Sequence, residues 1–117
     1  MTALDPAHLV GLGGAVGAVL RFGVGRLLAG RALPLSTLAV NAVGTAVLGL
    51  VTFGGAAEPV VLAVGTGACG AFTTFSSFSF ETVRLWETGE RRLAALNASG
   101  NLVAAAVGLA LAWVVVG

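Results

Sequence analysis

The chain has 117 residues, of which 57% are hydrophobic and only 9% are charged, and its formal net charge is +1. A soluble domain carries about a quarter charged residues, so this composition disfavours a soluble four-helix bundle. The small net charge, without a single lysine, also disfavours a nucleic-acid-binding protein. We therefore expect one all-α membrane domain that covers residues 1–117.

Four apolar segments follow one another along the chain. Their ranges are about 8–30, 36–54, 59–82 and 93–116. A helix needs about 20 residues to cross the hydrocarbon core of a bilayer, and each segment is close to that length or longer. None of them has the continuous polar face of a soluble amphipathic helix. The sequence predicts four transmembrane helices in a multi-pass protein of the cell membrane.

The first two segments each place one strongly polar side chain among apolar residues. Arg21 is expected either to be functional or paired at membrane depth, or to extend its long side chain to the interface. Asn41 is expected either to bond between helices or to face a polar pathway. Small residues recur at steps of four, which favours close helix packing. They are Gly13, Gly17 and Gly25, then Thr45 and Gly49, then Gly100, Ala104 and Gly108. Because four short helices enclose little space, we expect an oligomer.

The third segment combines glycines, hydroxyls and phenylalanines. Gly65, Gly67 and Gly70 precede Thr73 and predict a helix break near the membrane centre, although a continuous helix that tolerates glycine is the alternative. A break would free backbone carbonyls, for which a metal cation is one possible partner. The hydroxyl-bearing residues are Thr66, Thr73, Thr74, Ser76, Ser77 and Ser79.

The phenylalanines of this segment have a helical spacing. Phe75 and Phe78 are three residues apart and share a face if this part is helical. The positive edge of an aromatic ring can face an anion, so these rings and the hydroxyls are compatible with an anion path. Contact with lipid, or packing within the protein, explains the same spacing.

Three motifs in this order resemble the Fluc-type, CrcB-like fluoride channels over essentially the whole chain. They are GGAVGAVLRF in the first segment, STLAVNAVGTAVLG in the second and GACGAFTTFSSFSFE in the third. The resemblance implies four transmembrane helices per subunit, with the third helix broken near its middle. It also implies an antiparallel dimer with two fluoride pathways and a structural sodium ion on its axis.

The resemblance also implies roles for single residues. The fluoride-pathway positions are Phe75, Phe78, Asn41, Thr74, Ser76, Ser77 and Arg21, with Arg21 near the entrance vestibule. Backbone carbonyls of Gly70 and Thr73 would hold the sodium ion.

Two departures from the family pattern accompany this match. Ala71 replaces the second glycine of a Gly-Gly pair in the third segment. In the fourth segment many members carry a tyrosine and a serine, and alignment on Gly108 places Gly100 and Ala104 there. The only polar groups nearby are Asn97, Ser99 and Asn101. The contribution of the fourth segment to a pathway is therefore expected to be altered or missing.

Three other functions are weighed against a passive fluoride channel. A small proton-coupled multidrug exporter needs a carboxylate inside the membrane, and the sequence places Glu81 at the end of a segment and Glu58 in a loop. A non-conducting subunit of a heterodimeric channel is the second alternative. An enzyme is not expected, because no segment presents a nucleophile beside a base.

The arginines predict the orientation of the chain in the membrane. Arg26, Arg31, Arg84, Arg91 and Arg92 lie at or near the loops after the first and third segments. Arginine-rich short loops stay cytoplasmic, so both termini are expected outside. The dimer partner is then either an identical chain or an oppositely oriented paralogue.

Overall fold

The structure, a computed structural model that describes residues 4–117, is helical throughout its long elements. Four spans are long and apolar enough to cross a membrane: Pro6–Leu27, Leu35–Phe53, Glu58–Glu87 and Arg91–Val116. Large apolar side chains point outward from them, for example Phe22 and Val114, which are 68% and 78% exposed. Lipid solvates such side chains, whereas a soluble bundle would bury most of them. The protein is thus an all-α, multi-pass integral membrane protein of the cell membrane, as predicted.

The ends of the spans differ from the expected segments by a few residues. Residues 1–3 of the expected domain lie outside the described part. Helix α1 (Pro6–Leu27) begins after Asp5, whose side chain accepts a hydrogen bond from the amide of Ala7 at 3.1 Å. It ends before the expected residue 30, because Gly30 adopts a φ of +81° and turns the chain. Helices α2 (Leu35–Phe53) and α6 (Arg91–Val116) lie close to their expected ranges.

The third span consists of two helical halves. The first half contains α3 (Glu58–Val60), a π-helix (Val61–Cys69) and α4 (Gly70–Phe72), and the second half is α5 (Phe75–Glu87). Between them Thr73 and Thr74 are extended, with ψ of 161° and 122°. The third helix is therefore broken near its middle, as predicted, but the threonines form the break and the preceding glycines stay helical.

Glycines of α1 and of the π-helix allow the backbones of these two helices to come into close contact. A Cβ atom on Gly17 would overlap the carbonyl oxygen of Ala68, and one on Gly13 would overlap that of Ala63. A Cβ on Gly67 would come within 2.6 Å of the carbonyl oxygen of Val10. These glycines bring α1 against the π-helix at backbone distance, which larger residues prevent.

The break also changes the neighbours of the third span. Its first half packs against α1 and α2, whereas α5 packs chiefly against α6. Helices α2 and α6 pack along each other, with Gly108 close to Ala42 and Ala46. The chain therefore crosses from the α1 side to the α6 side at Thr73 and Thr74, directly opposite Asn41 of α2.

Candidate ion pathway

Asn41 holds the backbone of the break. Its Oδ1 accepts from the amide of Thr74 at 2.8 Å, and its Nδ2 donates to the carbonyl of the same residue at 3.1 Å. One side-chain amide thus satisfies both backbone groups of an extended residue, as a neighbouring strand would. Unpaired backbone groups are costly at membrane depth, so this contact allows the helix to stop there.

The side chain of Thr74 caps the N-terminus of the following helix, α5. Its Oγ1 accepts a hydrogen bond from the amide of Ser77 at 3.1 Å, which is the N-cap arrangement. The same oxygen lies 3.3 Å from Oγ of Ser76. Three of the predicted hydroxyl-bearing residues therefore come together at the first turn of α5.

A cavity of about 260 Å³ lies on one side of Thr74, and we call it the polar cavity. It is lined by Arg21, Gly25, Ser36, Thr37, Val40, Thr74, Ser77 and Glu81. A second cavity of about 400 Å³, nearer the membrane surface, shares Ser36 and Glu81 with it and is also lined by Arg31 and Arg84. Together they form a polar vestibule that reaches Thr74 from the end of the molecule that carries the arginines.

A further cavity, of about 340 Å³, lies on the other side of Thr74, and we call it the phenylalanine cavity. It is lined by Asn41, Thr45, Thr73, Thr74, Phe75, Phe78, Asn101, Leu102 and Ala105. The ring centroids of Phe75 and Phe78 are 5.8 Å apart and the ring planes are inclined by 47°. Thr74 is the one residue that belongs to the linings of both cavities, so the polar vestibule and the aromatic rings meet at this residue.

The position of Glu81 in the third span differs from the position that the sequence predicts. It was expected at the end of the third segment, but α5 continues to Glu87 and places it inside the span. Its carboxylate accepts a hydrogen bond from Oγ1 of Thr37 at 2.5 Å. The apolar segment ends near residue 82 because Arg84 and Glu87 are charged, whereas the helix itself continues through them to Glu87.

The break leaves backbone carbonyls without their usual helical partners. In an unbroken helix the amide of Thr74 would bond to the carbonyl of Gly70, but it bonds to Asn41 instead. The amide of Ser77 likewise bonds to Oγ1 of Thr74 and not to the carbonyl of Thr73. Space beside Gly70 is open, because a Cβ atom added there would meet nothing within 4 Å. Carbonyl oxygens of this kind fit a hard cation, so the residues present are compatible with a sodium site.

The sequence indicates Asn97, Ser99 and Asn101 as the polar groups of the fourth segment nearest the pathway positions, but it does not predict which of them reaches the site. Alignment on Gly108 placed Gly100 at the pathway, but the nearest side-chain atom to a Cβ on Gly100 is that of Leu38, at 3.9 Å. The α6 residue that reaches the site is Asn101, whose Oδ1 accepts from Nδ2 of Asn41 at 2.9 Å. The spacing of two of these residues is informative: Asn97 and Asn101 are four residues apart, so they share a face of α6.

Comparison with known proteins gives the same family along the whole chain. Residues 8–117 match the family model described as "CrcB-like protein, Camphor Resistance (CrcB)". A protein of Haloarcula marismortui named "Fluoride-specific ion channel FluC 2" is 58% identical over 99% of this chain and 98% of its own length. "Fluoride-specific ion channel FluC 1" of Halobacterium salinarum is 49% identical over 95% of this chain and 93% of its own length. These relatives are named as ion channels and not as enzymes. On the family match and on these identities, the chain belongs to the CrcB-like family.

Proposed function

We propose that this chain is the subunit of a passive, fluoride-selective ion channel that lowers cytoplasmic fluoride. The observation that carries the proposal is the position of Thr74, which lines a polar cavity on one side and a phenylalanine cavity on the other. The relatives are named as fluoride-specific ion channels, which supports fluoride as the ion that passes.

The charges of the vestibule favour an anion. Three arginines (Arg21, Arg31 and Arg84) and one carboxylate, that of Glu81, line its two cavities, so the formal charge of the vestibule is net positive. A cleft of this sign raises the local concentration of anions. The N-terminus of α5, at Phe75, carries the positive end of a helix dipole beside Thr74. An anion that reaches this point meets hydroxyl donors and a partial positive charge.

The phenylalanine cavity suits an ion that has left most of its water. Ring edges are electropositive, so Phe75 and Phe78 can face a bare anion with their edges. The hydroxyl of Ser76 lies 3.3 Å from Oγ1 of Thr74, and Ser77 lines the polar cavity beside the same residue. In this proposal Asn41 acts at the same point by holding Thr74 in place.

We also propose that two subunits pair antiparallel and that a structural sodium ion lies on the dimer axis. The support is the pair of carbonyls, of Gly70 and Thr73, whose helical partners bond elsewhere. A bound sodium ion would supply positive charge to these oxygens at membrane depth. If so, replacing sodium by N-methylglucamine should lower the thermal stability of the dimer, because a ligand stabilises the state that binds it. Equal stability in both buffers would exclude the ion as a structural component.

Growth in fluoride tests the function in cells. A bacterium that lacks its own fluoride exporters should regain growth in fluoride when it expresses this chain alone. Expression of the Phe78→Ile variant at the same level serves as the control. If the intact chain does not restore growth, it is not a self-sufficient fluoride channel.

Glu81 is the one observation that favours the alternative of a proton-coupled multidrug exporter. It is a half-buried carboxylate inside a span, which that mechanism requires. The relatives named as channels argue for passive flow instead. Ethidium uptake into vesicles with an imposed proton gradient separates the two: the channel gives none, and the exporter gives uptake that Glu81→Gln abolishes.

A further inference from the structure

A single chain of hydrogen bonds links the break to the far end of the first turn of α5. Asn41 donates to Oδ1 of Asn101 at 2.9 Å, and Asn101 donates to Oδ1 of Asn97 at 3.2 Å and to its carbonyl at 2.8 Å. Asn97 then donates to Oγ1 of Thr82 at 2.9 Å, and Thr82 donates to the carbonyl of Phe78 at 2.8 Å. The chain thus begins at Thr74 and ends on the residue that carries a ring of the phenylalanine cavity.

Backbone groups determine the orientation of each amide in this chain. The carbonyl of Asn97 can only accept, so Nδ2 of Asn101 must face it and Oδ1 must face Asn41. The amide and carbonyl of Thr74 fix Asn41 in the same way. Reversal of either amide would place donor against donor, so the chain has one direction.

The number of N–H donors on Asn41 limits the groups that its side chain can bind. An asparagine side chain has two N–H donors, and Asn41 gives one to Thr74 and the other to Asn101. Asn101 also gives both of its donors to Asn97. In this arrangement neither amide has an N–H left for an ion.

We infer that Asn97 and Asn101 are positioning residues, which fix Asn41 on Thr74 and thereby hold the turn from Thr74 to Phe78 in register with α6. They are 2% and 5% exposed, so water does not replace a lost partner. Helix α5 has few contacts with α2, and its polar links to α2 are the hydrogen bond from Thr37 to Glu81 near the vestibule and this chain near the break. The effect of these residues on transport rests on the proposed function, whereas their positioning of Asn41 and Thr74 does not.

A double-mutant cycle on fluoride efflux tests whether Asn101 acts through Asn41. Efflux is measured from liposomes that contain Asn41→Ala, Asn101→Ala or both. Each single variant should lower the rate by about tenfold, and the double variant should be no slower than Asn41→Ala, because contacting residues are non-additive. Multiplied losses in the double variant would show that Asn101 acts independently and would overturn the inference.

A matched control lies on the same helix. Oγ of Ser99 bonds only to the carbonyl of Ala95, at 2.7 Å, on an exposed face of α6. Ser99→Ala removes a polar group from α6 without touching the chain of amides. It should leave efflux unchanged, and a loss equal to that of Asn101→Ala would attribute both losses to a general defect in α6.

Hydrogen exchange supplies a readout that does not depend on fluoride. The amide of Thr74 is protected by Asn41, so Asn101→Ala should speed deuterium uptake in the peptide over residues 73–77 by about tenfold. Ser99→Ala should not. Unchanged uptake in Asn101→Ala would overturn the inference even if efflux fell. If the unaltered protein releases no fluoride, the proposed function fails, and this exchange experiment still decides the role of Asn101.

Discussion

Thr74 combines three contacts that define the pathway at the scale of single residues. Its backbone is paired to Asn41, its side chain caps α5, and it lines both cavities. The sequence singled out its hydroxyl but not its cap, because a cap requires extended backbone. That conformation depends on Asn41, which is 33 residues away. The sequence pattern therefore predicted a functional hydroxyl at Thr74, whereas the capping role of this residue depends on its tertiary contact with Asn41.

The ring of Phe78 provides a residue-scale prediction. Phe78→Ile removes the electropositive ring edge from the phenylalanine cavity and should lower fluoride efflux from liposomes by about tenfold or more. Phe80→Ile is the matched control, because Phe80 is on the same helix, is 66% exposed and does not line this cavity. Equal efflux from the two variants would remove the ring from the mechanism.

At the scale of elements, the apolar composition and the length of the segments were sufficient to predict the four spans. The break was also predicted, but from the glycines, which remain helical in the structure. Their role is contact between α1 and the π-helix, and such contact depends on which helices are neighbours. Asn97 and Asn101 were noted as polar groups of the fourth segment, but their contacts were not predicted for the same reason, since the partner of Asn101 lies 60 residues away. Spacing within one helix carries no information about the helix that it faces.

Two glycines of α1 give an element-scale prediction. Gly17→Ala places a Cβ against the carbonyl of Ala68 and should destabilise the protein by about 1–3 kcal/mol, since the backbones must separate. Gly11→Ala meets nothing within 4 Å and should be neutral or stabilise by up to about 1 kcal/mol through helix propensity. Unfolding of both variants in mixed micelles measures the difference. Similar stabilities would contradict the close contact of α1 with the π-helix.

At the scale of the whole molecule, charge is distributed unevenly between the two ends. Arg26 lies in the last turn of α1, Arg84 in the last turn of α5, and Arg91 begins α6. Because successive spans alternate in direction, these residues lie at one end, with Arg31 and Arg92. No Lys or Arg occurs at the other end in the part of the sequence before Arg21 or between Arg31 and Arg84.

This asymmetry predicts one orientation, with the arginines in the cytoplasm. In a Cys69→Ala background, a cysteine at Ala57 should react with an impermeant maleimide in intact cells. A cysteine at Glu90 should react only after the membrane is opened. An antiparallel dimer would then require an oppositely oriented paralogue. Equal labelling of each position from both sides would instead support a homodimer of chains inserted in both orientations.

Fluoride efflux from liposomes that contain this chain alone tests the central claim most directly. Vesicles loaded with fluoride and diluted into fluoride-free medium should release it within seconds when potassium and valinomycin balance the charge. Vesicles loaded with chloride should retain chloride under the same conditions. Retention of fluoride, or release of both ions at similar rates, would contradict the assignment of Thr74 and the two cavities beside it to a fluoride-selective path.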